Sequence, residues 1–145
     1  MGTRPLLMPG SCVVVLNEQR EVLLQRRSDT RDWGTIGGAL ELGESFEEAA
    51  ARELHEEAGL RAERFEFVRL LSGADMYFRY PHGDEIYNIM VVFEAVGATG
   101  VPEPDHDEGL ELRYFPLARP IADLNPMSRL VLTKAGYLTK DEPDE

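Results

Sequence analysis

Apolar runs separated by turn residues predict that much of this chain forms β-strands. Valine, leucine, isoleucine and aromatic residues recur in short segments bounded by glycine, proline, asparagine and aspartate. We expect strands at residues 11–17, 21–26, 65–71, 76–80, 85–96 and 110–115. Residues 17–20 are predicted to join the first two strands as a hairpin, and residues 81–84 form the turn before the long fifth strand.

Two segments carry helical signals instead. Ser45 and Glu48 have the spacing of a capping box, three alanines follow, and Gly59 is placed to end the helix in a left-handed conformation. At about 100° per residue, an apolar face lies beside an acidic one. The apolar face comprises Ala50, Ala51, Leu54 and Ala58, and the acidic face comprises Glu53, Glu56 and Glu57.

The second helix is predicted to begin at Asn125–Pro126, an N-cap followed by proline at the first helical position. The spacing of Leu130, Val131, Lys134 and Leu138 buries one side of it. Strands interrupted by one helix and closed by another indicate an α/β or α+β fold.

Composition and charge limit the partners. A chain of 145 residues with 43% apolar residues supports one domain, which we expect over residues 1–139, followed by a disordered acidic tail at residues 140–145. The net charge of −12 argues against non-specific binding to nucleic-acid polymers or anionic membranes, whose phosphates attract lysine and arginine. Cys12 is the single cysteine and no apolar run reaches membrane-spanning length, so we expect a cytoplasmic location.

The acidic charge is concentrated in one place. Residues 41–57 hold seven acids and one arginine, a net charge of −6, which is half of that of the whole chain. Like charges three or four residues apart destabilise a helix unless a cation neutralises them. Carboxylates on one side of a rigid helix are hard ligands that suit Mg²⁺ or Mn²⁺ together with substrate phosphates. The alternative is a solvated acidic helix with internal ion pairs.

Residues 38–60 fill a nine-position pattern that favours the metal-binding interpretation. The fixed positions are Gly38, Glu44, Arg52, Glu53, Leu54, Glu56, Glu57, Gly59 and Leu60. This spacing resembles the Nudix hydrolase box (MutT-like). The approach to the box matches as well, at Trp33, Gly34, Gly37, Glu41 and Gly43. Ile36 departs from the family, which commonly has proline before the paired glycines. The resemblance implies a mixed β-sheet sandwiched between α-helices.

The resemblance also implies an activity and its residues. Nudix enzymes hydrolyse a nucleoside diphosphate linked to another moiety, and divalent cations, Mg²⁺ or Mn²⁺, neutralise the charge. It implies that Glu53, Glu56 and Glu57 bind metal, with the carbonyl of Gly37 or Gly38 as a further ligand. Arg52 would orient the glutamates, and Glu44 would support the loop or complete the metal shell.

The resemblance leaves the general base open. Glu53 is the first choice, and Glu108 and Glu111 are alternatives because relatives commonly contribute a carboxylate from a later loop. Against Glu111, a strand with alternating Leu110, Leu112 and Tyr114 would point its side chain to solvent.

Substrate contacts are expected from three further residues. Arg26 and Arg27 are candidates for substrate phosphate, and the alternative is a solvated strand end. Tyr77 lies 17 residues past Leu60, near a tyrosine of dinucleoside polyphosphate hydrolases that this chain resembles. Nucleoside triphosphates, ADP-sugars and dinucleoside polyphosphates all stay open as small-molecule substrates. A nucleotide-sensing Nudix-fold module without turnover is the rival hypothesis, and a homodimer is among the open assembly states.

Overall fold

The computed structural model describes residues 4–107 and 109–139 and contains eight strands and two α-helices within them. The expected tail at residues 140–145 and the candidate base Glu108 lie outside the described residues. The strands are β1 (Leu6–Val14), β2 (Glu21–Arg27), β3 (Trp33–Gly34), β4 (Ile36–Ala39), β5 (Arg64–Leu71), β6 (Tyr77–Arg79), β7 (Glu85–Val96) and β8 (Gly109–Pro116). The helices are α1 (Phe46–Ala58) and α2 (Pro126–Lys134), and a 3₁₀ turn spans Ala74–Met76.

The strands form two sheets. In the first, β1 lies between antiparallel β4 and parallel β7, and β7 also pairs with β5 and β6. In the second, β2 lies between antiparallel β3 and β8. The predicted hairpin of the first two strands forms only next to its turn, where the Asn17 amide donates to the Glu21 carbonyl and the Leu23 amide to the Val15 carbonyl. Their turn is present, but beyond the isolated bridge between Leu16 and Val22 the two strands diverge into different sheets.

Each sheet contributes to two apolar clusters on opposite sides. One cluster lies under α2 and joins Val14, Leu24 and Val92 to Leu132. The other lies under α1 and is built around Leu54. The alternation of side chains along β1 and β2 supplies both clusters, because successive residues point to opposite faces. The expected sheets sandwiched between helices are confirmed. No helix in the described part of the chain is long and apolar enough to cross a membrane.

The predicted limits of α1 are confirmed by its caps. The Ser45 hydroxyl accepts the Glu48 amide, the Glu48 carboxylate accepts the Ser45 amide, and Gly59 has φ 71°. Ala51 is exposed, although the helical wheel placed it on the apolar face, and Ala49 is buried instead. The second helix is capped by Asn125, as predicted, but it ends at Lys134 rather than reaching Leu138.

Strand β4 was not predicted, and its glycines explain both the omission and the pairing. Gly37 and Gly38 lie opposite Cys12 and Ser11 of β1. Gly37 has φ 147°, and a Cβ on it would collide with the carbonyl oxygen of Ser11. Only glycine permits this close approach, which brings the β4 backbone against α1.

Candidate active site

A cleft of about 610 Å³ opens beside β4, and its walls differ in chemistry. The polar wall is formed by the glycine strand and the acidic face of α1: Gly37, Gly38, Glu41, Arg52, Glu53, Glu56 and Glu57. The apolar wall comes from β1, β6, β7 and α2: Met8, Phe78, Ile86, Met90 and Met127. A flat apolar group beside a charged one would match this division.

The carboxyl group of Glu57 is held from two sides. Glu57 is 5% exposed, and its Oε1 accepts the backbone N–H of Gly37 at 2.9 Å and the side-chain amide of Gln25 at 2.9 Å. Glu53, one helical turn earlier, is 9% exposed. A Cβ on Gly38 would collide with Oε2 of Glu53, so this carboxyl group lies directly against the glycine backbone.

The two carboxyl groups contact each other, and their surroundings disfavour negative charge. Burial, followed by the charge of Glu53, raises the pKa of Glu57 to about 9. Burial likewise raises the pKa of Glu53, against the opposing effect of the hydrogen bond that joins the two side chains. Two buried carboxyl groups that contact each other either retain a proton or require a cation.

Arg52 ties the loop before α1 to the acidic face. Its Nε and Nη2 donate to the two oxygens of Glu44 at 2.6 and 3.0 Å, and Nη2 also donates to the Ala39 carbonyl at 3.0 Å. Its Nη1 donates to Glu53 at 3.1 Å and to Glu56 at 3.3 Å. The hydrogen bond from Arg52 lowers the pKa of Glu44. Arg52 therefore contacts the glutamates that it was expected to orient, and Glu44 contacts Arg52. Both roles stay predictions.

The donor set fits a hard divalent cation at Glu53 and Glu57. Both offer carboxylate oxygens, which Mg²⁺ and Mn²⁺ prefer, and a bound cation would compensate their buried charge. Glu56 has a largely exposed side chain that pairs with Arg52. Within residues 4–107 and 109–139, no group of three or more His, Cys, Asp and Glu side chains could hold a metal ion. Metal binding by Glu53, Glu56, Glu57 and the backbone at Gly37 or Gly38 thus stays a prediction.

Of the two candidate arginines, the structure brings one to the cleft. Arg27 lines it and pairs with both oxygens of Asp29 at 3.1 and 3.0 Å. Arg26 is exposed and does not line the cleft. Arg27 is the phosphate candidate that the geometry retains.

The structure does not bring Tyr77 to the cleft. Tyr77 packs against Tyr87 on the opposite face of β6, with 5.3 Å between the ring centroids. Its neighbour Phe78 lines the cleft together with Tyr80. Because side chains alternate along β6, Phe78 faces the cleft and Tyr77, which was expected to contact substrate, does not. Glu111 accepts a hydrogen bond from Arg113 at 2.8 Å and does not line the cleft.

Two polar residues of the cleft region escaped the sequence reasoning. Gln25 is 3% exposed and continues the inward phase of Leu23 on β2. Asn88 lies between Ile86 and Met90 on one face of β7 and lines the apolar wall. In both cases the signal was a polar residue in an apolar strand, at a buried position for Gln25 and a half-buried one for Asn88.

Comparison with known proteins decides the family. The family model of the NUDIX domain matches residues 6–134. This chain is a NUDIX protein. The match extends beyond the glycine loop and α1 to all eight strands and α2, so the NUDIX assignment covers the whole sandwich.

Individual NUDIX relatives agree with this. A putative 8-oxo-dGTP diphosphatase of Bacillus subtilis (strain 168) is 49% identical over 53 residues, which are 37% of this chain and 36% of that protein. Other curated relatives are likewise matched over about half of their length or less. The crystal structure of a MutT NUDIX hydrolase from Burkholderia pseudomallei has a TM-score of 0.72 at 24% identity, covering 87% of this chain and 95% of that one. The NUDIX domain of Shewanella oneidensis NrtR, complexed with ADP ribose, has a TM-score of 0.64 at 21% identity, covering 92% and 87%.

Proposed function

We propose that this chain is a Mg²⁺- or Mn²⁺-dependent hydrolase that cleaves the diphosphate linkage of a nucleoside diphosphate joined to another moiety. The observation that carries the proposal is the pair of buried, touching carboxyl groups of Glu53 and Glu57 at the polar wall of the cleft. A structural helix would gain nothing from burying two acids whose charge no nearby cation fully compensates. The family membership of residues 6–134 supports the same conclusion.

The residues of the polar wall take distinct parts in this proposal. Glu53 and Glu57 would hold the cation, joined by Glu56 when it exchanges its ion pair with Arg52. A bound divalent cation would supply positive charge to the diphosphate and its leaving group. Arg52, anchored by Glu44, fixes the direction of the Glu53 side chain.

Glu53 is also our proposed general base. A carboxylate within hydrogen-bond reach of the attacking water can accept its proton. Glu53 lines the cleft, so water bound there can reach it. The proton of the attacking water passes to a Glu53 oxygen as the new P–O bond forms and the diphosphate P–O bond breaks.

The substrate we propose is a small nucleotide held across the cleft. The phosphates would meet the polar wall and Arg27, and the base would meet the apolar wall with Phe78 and Tyr80. The named Bacillus relative favours nucleoside triphosphates, and the ADP-ribose complex of NrtR favours ADP-sugars. The position of Tyr77 outside the cleft removes the marker that favoured dinucleoside polyphosphates.

A substrate panel tests the proposal. The panel contains nucleoside triphosphates (among them 8-oxo-dGTP), ADP-ribose and dinucleoside polyphosphates. Each compound would be incubated with the protein and Mg²⁺ or Mn²⁺ at alkaline pH in ¹⁸O water, and the masses of the products would be measured by mass spectrometry. We expect hydrolysis of at least one class, with ¹⁸O identifying the attacked phosphorus. No product from any compound would contradict the hydrolase assignment.

Two matched glutamate variants separate the enzyme from a nucleotide-sensing module. Glu53→Gln should lower kcat by at least about 100-fold, the smallest loss expected for a general base, while nucleotide binding persists. Glu47→Gln, on the exposed side of the same helix, should keep wild-type turnover. Nucleotide binding without turnover in the wild type would favour the sensing module.

A further inference from the structure

Gln25 reaches from the second sheet to the carboxyl group of Glu57. It lies on β2 with 3% of its surface exposed, and its Nε2 donates to Glu57 Oε1 at 2.9 Å. The same nitrogen makes a longer bond of 3.4 Å to the carbonyl of Thr35. Because the Gly37 amide donates to the same Glu57 oxygen, two N–H groups from different strands converge on that oxygen.

These two bonds determine which way the Glu57 carboxyl group faces. Oε1 is occupied by donors on the protein side, and the side chain contacts Glu53 on the cleft side. A carboxylate fixed in this way presents a defined oxygen to a cation. Outer partners of metal ligands commonly set ligand orientation, and removing them weakens metal binding.

The side-chain carbonyl oxygen of Gln25 indicates that the residue does more than fill the core. Among residues 4–107 and 109–139, no hydrogen-bond donor reaches Gln25 Oε1. A buried acceptor without a protein partner destabilises a fold, and a methionine of similar length would avoid this loss. The amide is therefore disadvantageous to the core, and its bond to Glu57 is the compensating feature.

Packing also selects the orientation of the amide. Gln25 Oε1 lies so close to the backbone of β8 that a Cβ on Gly109 would collide with it. Rotating the amide by 180° would direct its oxygen at Glu57 Oε1 and place two acceptors together. The arrangement thus directs the NH₂ group toward Glu57.

We propose that Gln25 is a positioning residue of the metal site, which holds the Glu57 carboxylate in the orientation that binds the divalent cation. The inference rests on the metal site of the proposed function, but not on the identity of the substrate or on turnover. It assigns a role to a residue outside the nine-position pattern of residues 38–60.

Mn²⁺ binding provides the test. The purified protein would be titrated with MnCl₂, and free Mn²⁺ would be measured by electron paramagnetic resonance for the wild type, Gln25→Met and Gln25→Asn. We expect Gln25→Met to weaken Mn²⁺ binding by roughly 10- to 100-fold while circular dichroism stays unchanged. Gln25→Asn retains the amide but withdraws it by one carbon, so it should weaken binding as well. Gln19→Met, at an exposed turn, is the matched control and should bind like the wild type.

Kinetics with the best substrate adds a second readout. The Gln25 variants should need more Mn²⁺ for half-maximal rate, and saturating Mn²⁺ should restore most of kcat, which a general loss of structure would not allow. If Gln25→Met fails to fold, Mn²⁺ binding by Gln25→Asn is compared with that of the wild type instead. Wild-type affinity in a folded Gln25→Met, or in a folded Gln25→Asn when only that variant folds, would overturn the inference alone.

The two proposals fail in different ways. Wild-type protein that binds Mn²⁺ but hydrolyses nothing in the panel would contradict the proposed function, while weaker binding by the Gln25 variants would still support the role of Gln25. Wild-type protein that binds no Mn²⁺ would overturn both.

Discussion

The two helices cover opposite sides of the same strands, yet they bury different chemistry. The inner face of α2 contributes Val131 and Leu132 to an apolar cluster. The inner face of α1 contributes Leu54 to the opposite cluster, but the adjoining turn also buries Glu53 and Glu57. The buried face of α2 thus carries no charged side chain, whereas the buried part of α1 includes two carboxyl groups.

The difference shows how stability and function are combined in α1. Its alanines and Leu54 pack against the sheet and hold the helix axis in place, so the glutamates one step around the helix face the cleft from a fixed backbone. Buried acids cost stability unless a cation compensates them. The following changes separate the packing of each helix from the electrostatics of α1.

The largest effects are expected from truncating the matched core leucines. Leu54→Ala and Leu132→Ala each remove a fully buried side chain and should each lower the free energy of unfolding by about 2–5 kcal/mol, measured by urea denaturation. Only Leu54→Ala should also weaken Mn²⁺ binding, because Leu54 seats the turn that carries Glu53 and Glu57. Equal weakening by Leu132→Ala would show that the metal site depends on the whole sandwich.

A smaller effect is expected from pH acting on Glu57. Its folded pKa of about 9 lies above the ordinary value of 4.5, so between these values the folded protein retains a proton that the unfolded chain has lost. Stability of the metal-free protein should therefore fall as pH rises toward 9, by up to about 1.4 kcal/mol per pH unit for this group. Glu57→Gln removes the titrating carboxyl group and should flatten the dependence.

Urea denaturation in EDTA at pH 6, 7.5 and 9 measures this dependence. Glu47→Gln is exposed and should retain the wild-type slope. Added Mg²⁺ should restore wild-type stability most at pH 9, because the ionised carboxylates bind it. Identical slopes for the wild type and Glu57→Gln would contradict the assigned burial of Glu57.

Features that depend on residues close in the sequence could be predicted, and features that depend on distant residues could not. The limits of α1 were predictable because a capping box and a left-handed glycine are local signals, and the Arg52 contacts lie within the same pattern. The predicted hairpin extends no further than its turn because strand pairing is decided by distant partners: β1 pairs with β7 and β2 with β8. Strand β4 was missed because Gly37 and Gly38 carry no apolar alternation.

Strand phase explains the remaining differences at the site. Arg27 rather than Arg26, and Phe78 rather than Tyr77, face the cleft, and a shift of one residue exchanges each pair. Gln25 was overlooked because its partner Glu57 is 32 residues away in the chain. The phase of β2 alone would not have identified Gln25 or Arg27, because Leu23 and Leu24 are buried on opposite faces and a register shift lies between Arg26 and Arg27.

The smallest effects are expected at the two helix caps, and they too should differ between the helices. Ser45→Ala removes one exposed cap hydrogen bond, whereas Asn125→Ala removes two cap bonds and a bond to Asp32 from a site that is 7% exposed. We expect the free energy of unfolding to fall by about 1 kcal/mol in Ser45→Ala and by about 2 kcal/mol in Asn125→Ala. Ser72→Ala, in an exposed loop, is the control. Because Ser45 precedes the acidic turns by two helical turns, its loss should leave Mn²⁺ binding unchanged. A larger loss at Ser45 than at Asn125 in urea denaturation would show that burial does not govern the strength of these caps.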